Sequence, residues 1–238
     1  FLSSLNVDAI QQAGFYIIVD YASAPTSLVL PGILAGLKCD VVALNANMDP
    51  NKMSVSQEEF NASIRQLSLI CRALKTDLGV RIEVGGERIY LVDGEGHIIP
   101  PVSACAAMAY LALRGNPGGT IAVPVNMPSL FDRIASKYNG KIIRTRCNLT
   151  SLMEAAKSHP LIMAGDGNGN FIFPHFQPVA DGLMAIAKLL EFLATEEVAL
   201  SQVLADLPPY FTARRRVSFP WEHKGTVMRL LNEQYREH

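Results

Sequence analysis

Three short stretches of the chain bring charged and amide side chains together on what read as turns. Glu83 and Glu87 flank Gly85-Gly86, and Arg88 follows directly. Carboxylates on one loop are the ligand type of a hard cation. With glycine between them, they equally suit the solvated ends of a hairpin turn. Asp166-Gly167-Asn168-Gly169-Asn170 places an acid and two amides on alternate positions, echoing the opening of a calcium loop. Phe171 stands where that loop needs its sharp-turn glycine, and no glutamate follows at the twelfth position, so calcium is a poor fit. The plainer reading is a turn rich in residues that tolerate left-handed backbone. Arg144 and Arg146 share a strand face by period-2 alternation, as phosphate ligands or as a solvated strand end.

Other chemistry is poorly supported. The five histidines, His97, His159, His175, His223 and His238, read as isolated, none at metal spacing from another His, Cys or acid. Ser103 and Ser129 lack the glycine context of a nucleophile elbow. Arg214-Arg215-Arg216 is a short basic run suited to a phosphate, an acidic neighbouring domain or solvent. The first strand leads into Asp20-Tyr21-Ala22-Ser23-Ala24-Pro25, without the glycine-rich turn on which a dinucleotide pyrophosphate sits.

The elements that must carry these residues can be traced along the chain. Phe15 to Asp20 and Val41 to Leu44 read as buried strands, with a capped helix from Pro25 to Gly36 between them. Ser56 and Glu59 form a capping box opening a helix to about Leu74. Leu78 to Ile82 and Arg88 to Val92 are strands joined by the Gly85-Gly86 turn, and a helix runs from about Val102 to Leu113. After Asn116-Pro117-Gly118-Gly119 the order repeats. Strands at Ile121 to Val125, Lys141 to Arg146 and Leu161 to Ala164 alternate with helices at Pro128 to Lys137 and Leu149 to Ala156. A return strand at Phe171 to Phe173 and a helix at Ala180 to Ala194 close the second round. A β-α-β-α-β-β-α order occurring twice predicts two successive α/β/α domains, each with a short mixed sheet. The expected division is residues 1–97, 98–207 and a tail at 208–238, in which Tyr210 to Ser218 reads as a strand followed by a charged helix.

Composition excludes several classes. The 238 residues are 49% hydrophobic and 18% charged, with a net charge of -1, which removes disorder and leaves no electrostatic case for nucleic acid or a membrane surface. Four scattered cysteines suit a reducing compartment, no apolar run approaches a membrane span, and a cytoplasmic location is expected. The start at Phe1 and the charged helical end lead to the expectation of a piece of a longer protein.

The two strand-turn-strand units, with Asp77-Leu78-Gly79 before one and Phe171-Ile172-Phe173-Pro174 after the other, resemble the middle of the α-D-phosphohexomutase family. The resemblance covers about residues 15–205 and implies that family's second and third domains. In the family a D-G-D-x-D-R loop holds magnesium. The matching stretch is Glu83-Val84-Gly85-Gly86-Glu87-Arg88, which keeps the arginine, lengthens the outer acids and loses the central one. Glu83 and Glu87 are thus degenerate metal positions with an expected Mg²⁺ affinity no better than millimolar. The family's G-E-x-S-G sugar loop corresponds to Gly165-Asp166-Gly167-Asn168-Gly169, and its R-T-x-x-G-x-K run to Arg144-Thr145-Arg146-Cys147-Asn148-Leu149-Thr150, with Thr150 in place of lysine. Arg88, Asp166, Asn168, Arg144 and Arg146 are therefore the candidate substrate-binding residues, and no catalytic residue is assigned.

Decay at three loops implies a module that kept its fold and dropped the reaction. The tail Phe219-Pro220-Trp221-Glu222-His223-Lys224-Gly225-Thr226-Val227-Met228-Arg229 resembles a segment of bacterial sugar-1-phosphate guanylyltransferases that carry a mutase-like C-terminal half. The expectation is a non-catalytic phosphomannomutase-like module of a mannose-1-phosphate guanylyltransferase, inactive alone and requiring no cofactor. The alternative is the central portion of an active phosphomannomutase or phosphoglucomutase, with Mg²⁺ required. Candidate partners are a sugar phosphate, an N-terminal nucleotidyltransferase domain of the parent chain, and a second copy of the chain.

Overall fold

A computed structural model describes residues 1–52, 54–213 and 217–235. In the first half, α1 (Val7–Ala13), β1 (Tyr16–Asp20), α2 (Leu30–Gly36), β2 (Asp40–Leu44), α3 (Gln57–Leu74), β3 (Leu78–Ile82) and β4 (Ile89–Asp93) lead into α4 (Pro101–Gly115). The second half continues with β5 (Thr120–Pro124), α5 (Leu130–Lys137), β6 (Lys141–Thr145), α6 (Leu149–Ser158), β7 (Leu161–Gly165), β8 (Phe171–Ile172), α7 (Gly182–Glu196) and α8 (Leu200–Ala205). A last helix, α9 (Lys224–Gln234), follows.

The repeat of element order is a repeat of topology. One four-stranded sheet has the order β2-β1-β3-β4 and the other β6-β5-β7-β8, each with three parallel strands and an antiparallel edge strand. The parallel strands are joined through helices and the antiparallel ones by short hairpins, as the two pairings require. On one face of the first sheet lies α3. Its N-terminus is fixed as the sequence predicts: Ser56 Oγ accepts from Glu59 N at 3.2 Å, and the Glu59 carboxylate accepts from Ser56 N at 2.7 Å. Ile64, Leu67 and Cys71 then recur at helical spacing and bury against Ile18 and Val92. On the second sheet α6 plays the same part, with Leu152, Ala155 and Ala156 against Ala122 and Ala164.

The other faces of the two sheets share one core. Ile10 of α1, Leu34 of α2, Leu130 of α5, and Met184 and Leu189 of α7 belong to a single apolar cluster with strands from both sheets. Every residue of α4 from Ala104 to Leu113 is buried, as a helix apolar all round must be, so it belongs to both halves. α7 is last in the second round of the repeat, yet it packs against α1 and β4 of the first half as well as β8.

Several sequence expectations are corrected. Pro25–Leu28 forms a short 3-10 turn, and α2 begins only at Leu30 with no side-chain cap. The strand expected over residues 210–218 does not form among the described residues: no sheet edge pairs with it, and Phe211 is 96% exposed. α9 buries no residue. The run at 214–216 and the last histidine, at 238, lie outside the described residues. His97 is not isolated, because the turn after β4 folds back and brings its Nδ1 to 3.1 Å from Asp93 and 3.7 Å from Glu95. All four cysteines are free, and among the described residues no helix is long and apolar enough to cross a membrane.

Candidate functional site

Both candidate turns stand at the carboxyl ends of parallel strands, the edge where open α/β sheets carry their ligands. β3 runs into the Glu83–Arg88 turn and returns as β4, while β7 runs into the Asp166–Asn170 turn and returns as β8. The two turns are joined through the backbone. Ile89 N donates to Gly169 O at 3.0 Å, Arg88 and Asn170 form an antiparallel bridge, and Gly182 N at the start of α7 donates to Gly86 O at 2.8 Å. Glycine makes this approach feasible: a Cβ on Gly169 would lie 2.6 Å from Ile89 O, and one on Gly182 would lie 2.6 Å from Gly86 O.

In the first turn Glu83 is engaged. Its carboxylate lies 3.3 and 3.4 Å from Arg88 Nη1 and accepts from the Tyr90 hydroxyl at 3.3 Å. Burial works against the charge on Arg88, but the Tyr90 hydroxyl and the carboxylates of Glu83 and Asp166 outweigh it and hold the pKa of Arg88 above its ordinary value. Burial likewise pushes the Tyr90 phenol up. Gly86 has φ +74°, the left-handed conformation that the tight turn requires. Glu87 is exposed and takes no part in the ion pair.

Asp166 is wired differently. Its Oδ1 accepts from Asn168 N at 2.7 Å and Asn170 N at 3.1 Å, and its Oδ2 accepts from Asn170 Nδ2 at 2.6 Å. The acid therefore shapes its own turn, with Asn170 buried and Asn168 exposed. Asp166 and Asn168 also line a small hollow of about 80 Å³ with Asn126, Cys147 and Asn148, at the start of α6. That volume admits two or three waters or the hydroxyl edge of a small polar ring.

The two arginines of β6 and its end are not brought together. Arg144 donates to Met127 O at 2.8 Å and pairs with Asp132 at 2.5 Å, so its guanidinium is committed to the loop before α5. β6 ends at Thr145, and Arg146 lies beyond it, where strand alternation no longer applies. Arg146 borders a different hollow, with Glu154 and His159. Of the candidate residues, then, Glu83, Arg88, Asp166 and Asn168 belong to the joined turns, Glu87 stands at their rim, and Arg144 and Arg146 are elsewhere.

Sequence reasoning missed the network below the first turn. Asp20, 1% exposed, forms a buried ion pair with Arg81 and accepts from Ser63 Oγ at 2.6 Å, Asn45 Nδ2 at 2.8 Å and Ala22 N at 3.0 Å. The signal was present as a charge inside the apolar run Leu78-Gly79-Val80-Arg81-Ile82. Larger hollows, of about 730 and 720 Å³, lie away from both turns, one lined by Phe15, Asp77 and Leu200 and the other by His97, Leu207 and Phe211. Neither gathers candidate residues.

The fit to a divalent cation is poor. Gly85 offers no side chain, Glu83 is already neutralised by Arg88, and among the described residues no three His, Cys, Asp or Glu side chains are arranged to hold a metal.

Comparison with known proteins places this geometry. Residues 1–96 match the phosphoglucomutase/phosphomannomutase alpha/beta/alpha domain II, and residues 102–211 match domain III. A phosphoglucomutase/phosphomannomutase of Thermococcus kodakarensis is 28% identical over 226 residues, covering 95% of this chain and 50% of the relative. A phosphoglucosamine/phosphogalactosamine mutase of Sulfurisphaera tokodaii is 27% identical, covering 91% and 48%. The chain thus spans about half the length of these curated relatives. A crystal structure of a phosphoglucomutase/phosphomannomutase family protein from Burkholderia thailandensis superposes with a TM-score of 0.72 at 21% identity, over 85% of this chain and 46% of that one, a likeness of fold.

Proposed function

The chain belongs to the α-D-phosphohexomutase family, of which it comprises the second and third α/β/α domains, and from that premise we propose that it is the sugar-phosphate-holding centre of a phosphohexomutase. The observation that carries this reading is the backbone joint between the two turns, which puts Arg88 and Asp166 into one electrostatic unit. Arg88 supplies a planar donor fork suited to phosphate, and Asn168 with the rim of the small hollow supplies groups suited to ring hydroxyls. The phosphoryl donor and the remaining phosphate contacts would come from other parts of a longer parent. Mutase relatives with matches across nearly the whole chain support this reading over a nucleotidyltransferase context.

A second reading rests on one specific observation: the acid of the first turn is spent on Arg88. In that reading the module binds without turnover, as the mutase-like half of a mannose-1-phosphate guanylyltransferase.

Assaying the full-length parent for interconversion of hexose 6-phosphate and hexose 1-phosphate separates the two. Turnover that falls at least about tenfold in Arg88→Ala is expected, since a charge-assisted hydrogen bond contributes about 1.5–3 kcal/mol. Guanylyl transfer without mutase turnover would replace the first reading by the second. The 238-residue chain alone should show no turnover.

A further inference from the structure

The disagreement between the first turn and a metal loop has a chemical consequence, which rests on the sugar-phosphate reading above. We propose that the cation of this site is Arg88 itself, so that a hexose phosphate binds to this chain without a divalent metal.

The first support is occupancy of the acid. Both Glu83 oxygens lie within 3.4 Å of Arg88 Nη1, and the Tyr90 hydroxyl donates to one of them. A magnesium ion would have to displace both partners, yet the turn offers it little else. Gly85 has no ligand atom, and Glu87 is exposed at the rim. Magnesium demands near-octahedral oxygen ligation and gives up its water reluctantly, so two separated glutamates, one already paired, are weak competitors for it.

The second support is the way Arg88 is held. Its backbone bridges Asn170, and the following residue, Ile89, donates to Gly169 O, so the arginine is anchored at the junction of both sheets. The guanidinium side chain is nevertheless 39% exposed and accessible to a ligand. A guanidinium presents paired N–H donors to a phosphate and carries its charge at any ordinary pH. The backbone beneath it is already ordered in the folded chain, which lowers the cost of binding.

Calorimetric titration of the 238-residue chain with glucose 6-phosphate tests this, once in EDTA and once in excess Mg²⁺, for the natural chain, Arg88→Ala, Arg88→Lys and Glu83→Gln. The expected result is a dissociation constant that agrees between the two buffers within about twofold. Arg88→Ala should weaken it about tenfold or more in both, with partial recovery in Arg88→Lys, as loss of a charged phosphate contact predicts. Glu83→Gln should keep binding in EDTA. Binding that appears only with Mg²⁺ and vanishes in Glu83→Gln would overturn the proposal while leaving the sugar-phosphate reading in place. No binding of the sugar phosphate in either buffer would remove that reading and the proposal with it. Circular dichroism of each variant confirms folding, and titration with Mn²⁺ followed by paramagnetic relaxation gives an independent readout: a site tighter than millimolar that requires Glu83 contradicts the proposal.

Discussion

The two turns at the sheet edges occupy equivalent places in two copies of one topology, and they use their acids in opposite ways. In the first, Glu83 reaches across its hairpin to neutralise a cation. In the second, Asp166 folds back on the amides of its own turn. The first acid is thus an electrostatic element on a turn that Gly86 already closes, whereas the second is a structural element without which its turn loses its shape. Equivalent positions in a repeated fold therefore need not carry equivalent roles, and decay of a motif can mean reassignment of its residues.

The largest effect lies beneath the first turn. Arg81→Ala should destabilise the chain by about 3–5 kcal/mol, because it leaves the buried Asp20 carboxylate unpaired. Urea unfolding measures this. A loss below 1 kcal/mol would mean that Asp20 is satisfied by Ser63, Asn45 and the Ala22 amide alone.

Asp166→Ala comes next. It strips the acceptor from two backbone N–H groups, of which the one on Asn170 is buried, and should cost about 1–3 kcal/mol. Its counterpart Glu83→Gln should cost no more than about 1 kcal/mol, since the pair with Arg88 is half exposed. Equal losses in the two variants would break the contrast between them.

The smallest effect is a dependence on pH near the second turn's return strand. Partial desolvation holds the pKa of His175 below its ordinary value although the residue lies exposed at the surface, with Lys188 adding to the effect and Glu191 opposing it. The unfolded chain then takes up the proton first, so this stability is fully present above the ordinary histidine value of about 6.5 and is lost as pH falls below it. Urea midpoints measured between pH 7.5 and 5.5 should decline less steeply in His175→Gln than in the natural chain. Parallel slopes would refute the assignment.

Much of the frame was legible in the sequence because it rests on local rules. The Ser56–Glu59 capping box, the Gly85-Gly86 hairpin and the two rounds of strands and helices each follow from residues a few positions apart. The site was legible only as separate loops. What joins Arg88 to Asn170 and Gly86 to Gly182 is an approach between segments some 80 to 100 positions apart, allowed by glycines whose reason is invisible locally. The commitment of Arg144 is invisible for the same cause, since the carbonyl of Met127 and the carboxylate of Asp132 that claim it come from a neighbouring loop. The tail shows the converse: residues 210–218 suit a strand by type, but strand formation needs a partner edge, and among the described residues, 210–213 and 217–218, none is met.

Amide hydrogen exchange at Ile89 and Gly182 reports whether the two turns form one unit. These two N–H groups donate across the joint, to Gly169 O and Gly86 O. Both should exchange as slowly as Val80 and Leu91 in the strands of the first sheet, opening only with the core. Exchange as fast as that of an exposed hairpin, with Val80 and Leu91 still protected, would show that the turns move independently and are not one unit.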